Sequence, residues 1–379
     1  MIESLLPKRH FNGLENSTWL YSGAETPPHT GAVEAINDYM RNRAGGPDGR
    51  QRNSEVEQSL RTNIAKLING TAEQIALVSN ASEAITLMMQ SLCLQAGDNV
   101  VINNLEFPSG VFPWLMLREQ GVEVRLVKHC DWQLSVDDIM GQVDERTKVV
   151  MASHVSFVSG ARLDYRALYK RLMQTEALLL LDVTQSLGAV AVDLQSADIV
   201  VCSSYKWLMS VHGLGLLALN PARTGKLLPV SAGWRGVTEL FYPERFDSFQ
   251  FLADARRFEL GYPNYPAIYT MNFSAGLLLE TGIERVERHI LQLGSYLIER
   301  LEQAGYEVMT PRDELERAGN ISFVCERGEE IASRLQQEHR VYVWGGDGRI
   351  RASVHLFNDS ADIERFLELL EREWGNKGE

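Results

Sequence analysis

The sequence predicts an α/β fold: a large domain on a mostly parallel seven-stranded sheet flanked by helices, followed by a smaller C-terminal α+β domain. Three observations lead there. Short apolar runs alternate with helical patterns from about residue 75 to 220. Several of these runs, such as Leu178-Leu179-Leu180-Leu181, are apolar at every position, as strands covered on both faces must be. After Pro221 the rhythm changes to a loop-rich stretch, two long helical patterns and a mixed tail.

In chain order, the strands are expected at 75–78, 99–102, 123–127, 149–153, 178–182, 198–202 and 214–219. Helical spacing of apolar residues places helices between them, as at 82–94 and 162–174. Such alternation implies right-handed crossovers and a sheet with helices on both sides. The stretch 233–266 carries Trp234, Phe241, Tyr242, Phe251, Phe258, Tyr262 and Tyr265 and is expected to be loop-rich, its apolar area buried in an interface. Helices follow at 267–287 and 289–304. The tail, 306–374, reads as a strand, a helix at 329–338, strands at 341–344 and 350–353, and a helix at 360–373. The implied division is an N-terminal segment at 1–20, a large domain at 21–265 and a small domain at 266–379. The polar segment 41–53 is expected to be a solvated loop, or a loop bordering an anionic site.

Hydrophobic residues make up 45% of the chain and charged residues 23%, which is ordinary for a soluble enzyme. A formal charge of −13 argues against a nucleic-acid partner, because phosphate affinity needs a basic surface. No run approaches the roughly 20 apolar residues of a membrane helix, and the first residues lack a signal-peptide pattern. The four cysteines, Cys93, Cys130, Cys202 and Cys325, show neither CxxC nor metal-ligand spacing. They are expected to be buried, inert thiols in a cytoplasmic protein, with no metal site.

Two of the expected strands end on residues with complementary chemistry. Asp182 closes the run at 178–182, and Ser203-Ser204-Tyr205-Lys206 follows the next, at 198–202. In an open parallel sheet, ligands bind outside the carboxyl ends of the strands, so both side chains gather on one edge. Together they meet two demands of pyridoxal phosphate (PLP) chemistry: a carboxylate to keep a pyridine nitrogen protonated and an amine to form a Schiff base. Gln185 sits three residues past Asp182, where an amide reaches the phenolate oxygen of such a ring. Ser79-Asn80-Ala81-Ser82-Glu83-Ala84 runs from a strand into a helix, whose free amides attract phosphate; the alternative is an ordinary capping box. Phe107, in Leu105-Glu106-Phe107-Pro108, either lies flat on the ring or belongs to the core. His29, His154 and His212 read as packing or hydrogen-bonding residues rather than catalysts.

These residues together resemble the class V aminotransferase family of fold-type I PLP enzymes, which includes cysteine desulfurases, selenocysteine lyases and isopenicillin-N-epimerase-like proteins. The most specific stretch runs from Leu181-Asp182-Val183-Thr184-Gln185-Ser186 to Ser203-Ser204-Tyr205-Lys206-Trp207-Leu208. The resemblance implies that Lys206 is the cofactor lysine, Asp182 the partner of the ring nitrogen and Gln185 a partner of the phenolate. It also implies that Ala81, Ser82 and Ser203 bind the phosphate, with Tyr205 as a further donor, and that Phe107 stacks on the ring. Arg351, in Ile350-Arg351-Ala352-Ser353, matches the arginine that grips the substrate α-carboxylate. Desulfurases carry a catalytic cysteine shortly before that arginine, yet residues 341–350 contain none. The family's Gly-Thr-Pro-Asn reads Gly261-Tyr262-Pro263-Asn264 here, and the Asn that follows Ser156 in desulfurases is Phe157.

The expected function is that of a homodimeric PLP enzyme, with active sites near the subunit interface, that deprotonates an α-amino acid at Cα through Lys206. A C–S lyase-type β-elimination needs no further nucleophile and fits the missing cysteine. Transamination and epimerisation use the same residues. The reading from another class is a non-catalytic binding protein on the same fold, against which the intact Lys206 and Asp182 argue.

Overall fold

The protein is described by a computed structural model covering residues 1–374; the last five positions of the expected small domain lie outside the described residues. The strands are β1 Thr18–Trp19, β2 Ile75–Val78, β3 Asn99–Asn103, β4 Glu123–Val127, β5 Thr147–Ser153, β6 Leu178–Asp182, β7 Ile199–Ser203, β8 Gly215–Leu219, β9 Asn320–Val324, β10 Val341–Tyr342, β11 Trp344–Gly346 and β12 Arg349–Ser353. The helices are α1 Thr30–Arg43, α2 Gly46–Leu67, α3 Ala81–Ser91, α4 Phe112–Met116, α5 Val136–Met140, α6 Tyr165–Leu172, α7 Pro221–Thr224, α8 Tyr265–Thr281, α9 Ile283–Gln303, α10 Gly328–His339 and α11 Ser360–Trp374.

Seven strands form one sheet in the order β2-β8-β7-β6-β5-β3-β4. Only β8 runs against its neighbours, so the sheet is mostly parallel. The edge strand β4 is largely exposed or half-buried and β5 is half-buried at Lys148 and Ser153, while the other five strands are buried along their whole length. Side-chain alternation divides each strand between two apolar layers. Leu179 and Leu181 of β6 join one cluster with Val200 and Cys202 of β7, while Leu178 and Leu180 join the other with Ile199 and Val201. Truncating one of these leucines to alanine costs about 2–5 kcal/mol. Such rigidity fixes the strand ends on which the site is built.

A second, antiparallel sheet in the order β11-β12-β9 stands apart, and β1 pairs with β10. We propose a division into large and small domains near residue 265 on the strength of this separate sheet.

Several local expectations are corrected. The segment 41–53 is not a loop: α1 runs to Arg43 and α2 begins at Gly46, with Pro47 in its first turn, where proline is tolerated. Sequence polarity there reflects an exposed helical surface. The break between the long helices falls at Gly282, whose φ is +85°, rather than at 288. Helix α6 starts at Tyr165 because Asp164 caps it, its side chain accepting from Ala167 N at 2.9 Å. Three thiols are not fully buried: Cys93 follows the end of α3 with φ +47° and is exposed, as is Cys130, and Cys325 is half-buried, whereas Cys202 is buried.

Candidate active site

Strands β3, β5, β6 and β7 point the same way, and the chain after β2 enters α3 on that edge. Their carboxyl ends surround a cleft, the place where an open parallel sheet binds its ligands. Ala81 and Ser82 reach it from α3, Phe107 from the turn after β3, Asp182 from the end of β6 with Gln185 just beyond it, and Ser203 from the end of β7 with Tyr205 and Lys206 just beyond it. The tertiary fold thus gathers these sequence-selected residues at one place. Arg351 lies beside them on β12, where its Nη1 donates to the Phe157 carbonyl at 2.8 Å; Phe157 lines the cleft.

Asp182 is buried, and its Oδ1 accepts from Thr184 N at 2.7 Å. Burial pushes its carboxyl above the ordinary aspartate range, with Thr184 and the Lys206 charge opposing the shift. Burial, and then the Arg351 guanidinium, push the Lys206 amine down to about 8, with Asp182 opposing. The Lys206 Nζ lies 5.6 Å from the centre of the Phe107 ring. Its backbone is pinned by Thr26, whose Oγ1 donates to the Lys206 carbonyl at 2.6 Å.

Gln185 is held on three sides. Its Nε2 donates to the Gly23 carbonyl at 2.8 Å, and its Oε1 accepts from Trp207 Nε1 at 2.9 Å and Asn320 Nδ2 at 3.0 Å. One amide hydrogen is left for a ligand. Ser203 Oγ accepts from Ala81 N at 3.1 Å, and Ser82 Oγ lies 2.6 Å from Ser109 Oγ, so hydroxyls converge at the start of α3. Asn80 caps that helix, its side chain accepting from Glu83 N; the capping reading and the anion reading describe the same turn. Gly215 permits this close approach, since a Cβ there would come within 2.7 Å of Asn80 Cα. Tyr205 stacks on His212 with ring centres 4.1 Å apart. Phe107 is 47% exposed and meets Phe157 edge-on at 5.3 Å, so it is no core residue.

Arg351 is 3% exposed, and its Nε has no partner. Burial and then Arg349 push its pKa down to about 10. A buried guanidinium with a free donor is suited to an anion. Tyr262 lies elsewhere, exposed and bonded by Arg50. His29 caps α1, its Nδ1 accepting from Gly31 N at 3.0 Å.

Sequence reasoning missed several residues. Ser109 and Thr184 line the cleft, and their only signal was proximity to motifs already chosen; Ser153, at the end of a strand expected to finish on this edge, lines it too. Glu106 sits behind it, buried, accepting from Ser153 N and Ser153 Oγ at 2.6 Å each and from Asn103 Nδ2 at 2.7 Å. Burial pushes its carboxyl up to about 7. Among the described residues, no group of His, Cys, Asp and Glu is arranged to hold a metal ion.

Two features fit PLP. The buried Asp182 carboxyl has a desolvation cost that a cationic ring nitrogen would relieve. The Ser82, Ser109 and Ser203 hydroxyls beside the first turn of α3 suit a phosphate.

A "Probable cysteine desulfurase" of Methanothermobacter thermautotrophicus is 29% identical over 94% of this chain and 95% of its own length. The apo cysteine desulfurase of Thermococcus onnurineus NA1 superposes with a TM-score of 0.88, at 22% identity over 97% of this chain and 96% of that one. The cystine C–S lyase C-DES, solved with its reaction product cysteine persulfide, gives a TM-score of 0.86 at 22% identity over 95% of this chain and 98% of that one. These structural likenesses show a shared fold. The family model for aminotransferase class-V matches residues 18–366, so the chain belongs to the class-V aminotransferase family, whose members are PLP-dependent enzymes.

Proposed function

We propose that this protein is a PLP-dependent enzyme that cleaves a C–S bond of an α-amino acid by β-elimination. The observation that carries the reading is the meeting, in one cleft, of a buried carboxyl (Asp182), a depressed amine (Lys206) and a buried guanidinium with a free donor (Arg351), with no cysteine in the preceding interval 341–350. That C-DES is named a cystine C–S lyase supports it by analogy.

When bound, the cofactor supplies an electron sink for charge developing at the substrate Cα. Lys206 would hold it covalently, Asp182 would keep its ring nitrogen charged, and Gln185 would offer its remaining amide hydrogen to the phenolate. Ala81, Ser82, Ser203 and Tyr205 would face the phosphate and Phe107 the ring. Arg351 grips the α-carboxylate and thereby aims Cα at the Lys206 Nζ. Once freed, that amine takes the Cα proton, a task matched by its lowered pKa. The sulfur group then leaves with the bonding pair and no protein nucleophile intervenes.

Borohydride trapping followed by peptide mapping tests the lysine: label on Lys206 supports the assignment, and label elsewhere overturns it. Keto acid and ammonia released from a cysteine conjugate without an amino acceptor support the lyase. Dependence on a second keto acid would make the enzyme a transaminase.

We also propose a homodimer with the site near its interface. Phe241, Phe246, Phe249 and Trp234 are all exposed within 234–249, and a subunit partner would cover such apolar side chains. A stable monomer in sedimentation, with cofactor bound, would refute this. No helix among the described residues is long and apolar enough to cross a membrane. The four unpaired thiols support a cytoplasmic location.

A further inference from the structure

Arg349 and Arg351 stand two apart on β12, so their side chains leave the same face of the strand. Both are buried, at 4% and 3% exposure. The Trp344 ring is shared between them, with guanidinium carbons at 4.5 Å for Arg349 and 5.4 Å for Arg351. Arg349 also lies 5.7 Å over Phe157, the cleft residue whose carbonyl holds Arg351. Two cations are therefore held together in an aromatic, water-poor setting at the cleft wall.

Neither is satisfied. Among the described residues, the one carboxylate near Arg349 is Asp347, at 3.5 Å from Nη1, and that side chain is 74% exposed. An ion pair of this kind contributes little. The Nε and Nη2 of Arg349 have no partner, nor does the Nε of Arg351. Adjacent buried like charges with open donors are costly unless an anion completes them. One α-carboxylate occupies Arg351 and leaves the planar fork of Arg349 open.

We propose that Arg349 is a specificity-determining residue that binds a second acidic group, on the substrate's side chain. The substrate is then an α-amino acid with a distal acid, such as a cysteine conjugate carrying a carboxylate. This rests on the reading above that Arg351 takes the α-carboxylate. The two arginines lie roughly 7 Å apart along the strand, at about 3.3 Å per residue, a spacing suited to a short diacid.

The test uses the holoenzyme. Succinate and butyrate lack the amine and cannot react, so calorimetry reads their binding alone. Succinate should bind about ten- to a hundredfold tighter than butyrate, the range set by hydrogen bonds to charged groups. Arg349→Ala should erase that preference while leaving the cofactor's absorption unchanged. Arg349→Gln, which keeps length and donors but not charge, should erase it too and serves if the alanine variant does not fold. Arg351→Ala should weaken both ligands. In turnover, S-carboxymethyl-L-cysteine should show a lower KM than neutral S-ethyl-L-cysteine, and only the former should respond to Arg349. Equal affinity for the two acids in the wild type, or a preference that survives in folded Arg349→Gln, overturns the proposal. Calorimetry does not depend on the reaction, so failure of the lyase reading would leave the succinate preference in place.

Discussion

Two clusters of buried charge in this protein behave in opposite ways. In the first, Arg61 and Arg235 meet Glu57 and Glu259. Arg61 bonds Glu57 at 2.8 Å, Glu259 at 2.7 Å and the Ile75 carbonyl at 2.7 Å. Arg235 bonds both carboxylates, Tyr265 Oη donates to Glu57 at 2.9 Å, and Leu77 N donates to Glu259 at 2.9 Å. Burial alone would raise the Glu57 carboxyl, yet Arg235 and Arg61 outweigh it and hold it below the usual range. Charges balance and the named donors have acceptors. In the second cluster, Arg351 acts on Lys206 and Arg349 on Arg351, Asp182 offsets Lys206, the exposed Asp347 faces Arg349, and three guanidinium nitrogens are unpaired. Burial is common to both. The difference is satisfaction, and it separates a cluster that joins α2, β2, the 234–259 segment and α8 from one arranged to receive anions.

The comparison can be broken by substitution. The largest effect is expected in the second cluster: Lys206→Ala should lower turnover by about 10²–10⁴-fold, the range for losing a positioned proton acceptor, with thermal stability little changed. Turnover within tenfold of the wild type would remove Lys206 from the reaction. Next comes the balanced cluster. Glu259→Ala leaves Arg61 and Arg235 facing one carboxylate and should cost about 3–5 kcal/mol of stability in denaturant titration. The folded fraction should keep its KM.

Arg351→Met sharpens the contrast. Removing one of two adjacent cations should leave stability unchanged or raise it, whereas the substrate KM should rise about ten- to a hundredfold. A fall in stability like that of Glu259→Ala would mean that Arg351 is structural. The smallest effect concerns Glu106. Its carboxyl titrates near 7 in the folded chain against an ordinary value of 4.5. The folded state therefore binds more protons between those values, and stability falls as pH rises through that window. Glu106→Gln should remove that slope, gaining about 1–2 kcal/mol on the wild type from pH 6 to pH 8. A pH-independent difference would contradict a buried, titrating Glu106.

Legibility in the sequence followed the distance over which each signal acts. The apolar runs at 178–182 and 198–202 became β6 and β7, because a strand buried on both faces has no polar position to disguise it. The 41–53 segment misled, because an exposed helix and a solvated loop share the same composition. Asp182, Lys206 and Gln185 could be picked out because they lie at the ends of such strands, where topology alone brings side chains together. Arg349 could not, since the expected strand began one residue later, at 350, and the alternation that pairs it with Arg351 was cut off.

What the amino-acid order determined by itself was the class of sheet, the edge at which ligands gather and the residue types capable of holding PLP. Periodicity and strand ends are local properties that survive without neighbours. What the tertiary structure alone decided was which charges are satisfied. Whether Arg61 finds two buried carboxylates or Arg349 only one exposed one depends on groups far away in the chain, from Glu259 to Phe157 and Trp344. Desolvation and pairing are set by those distant packing partners, and they turn one arginine into a brace and another into a receptor.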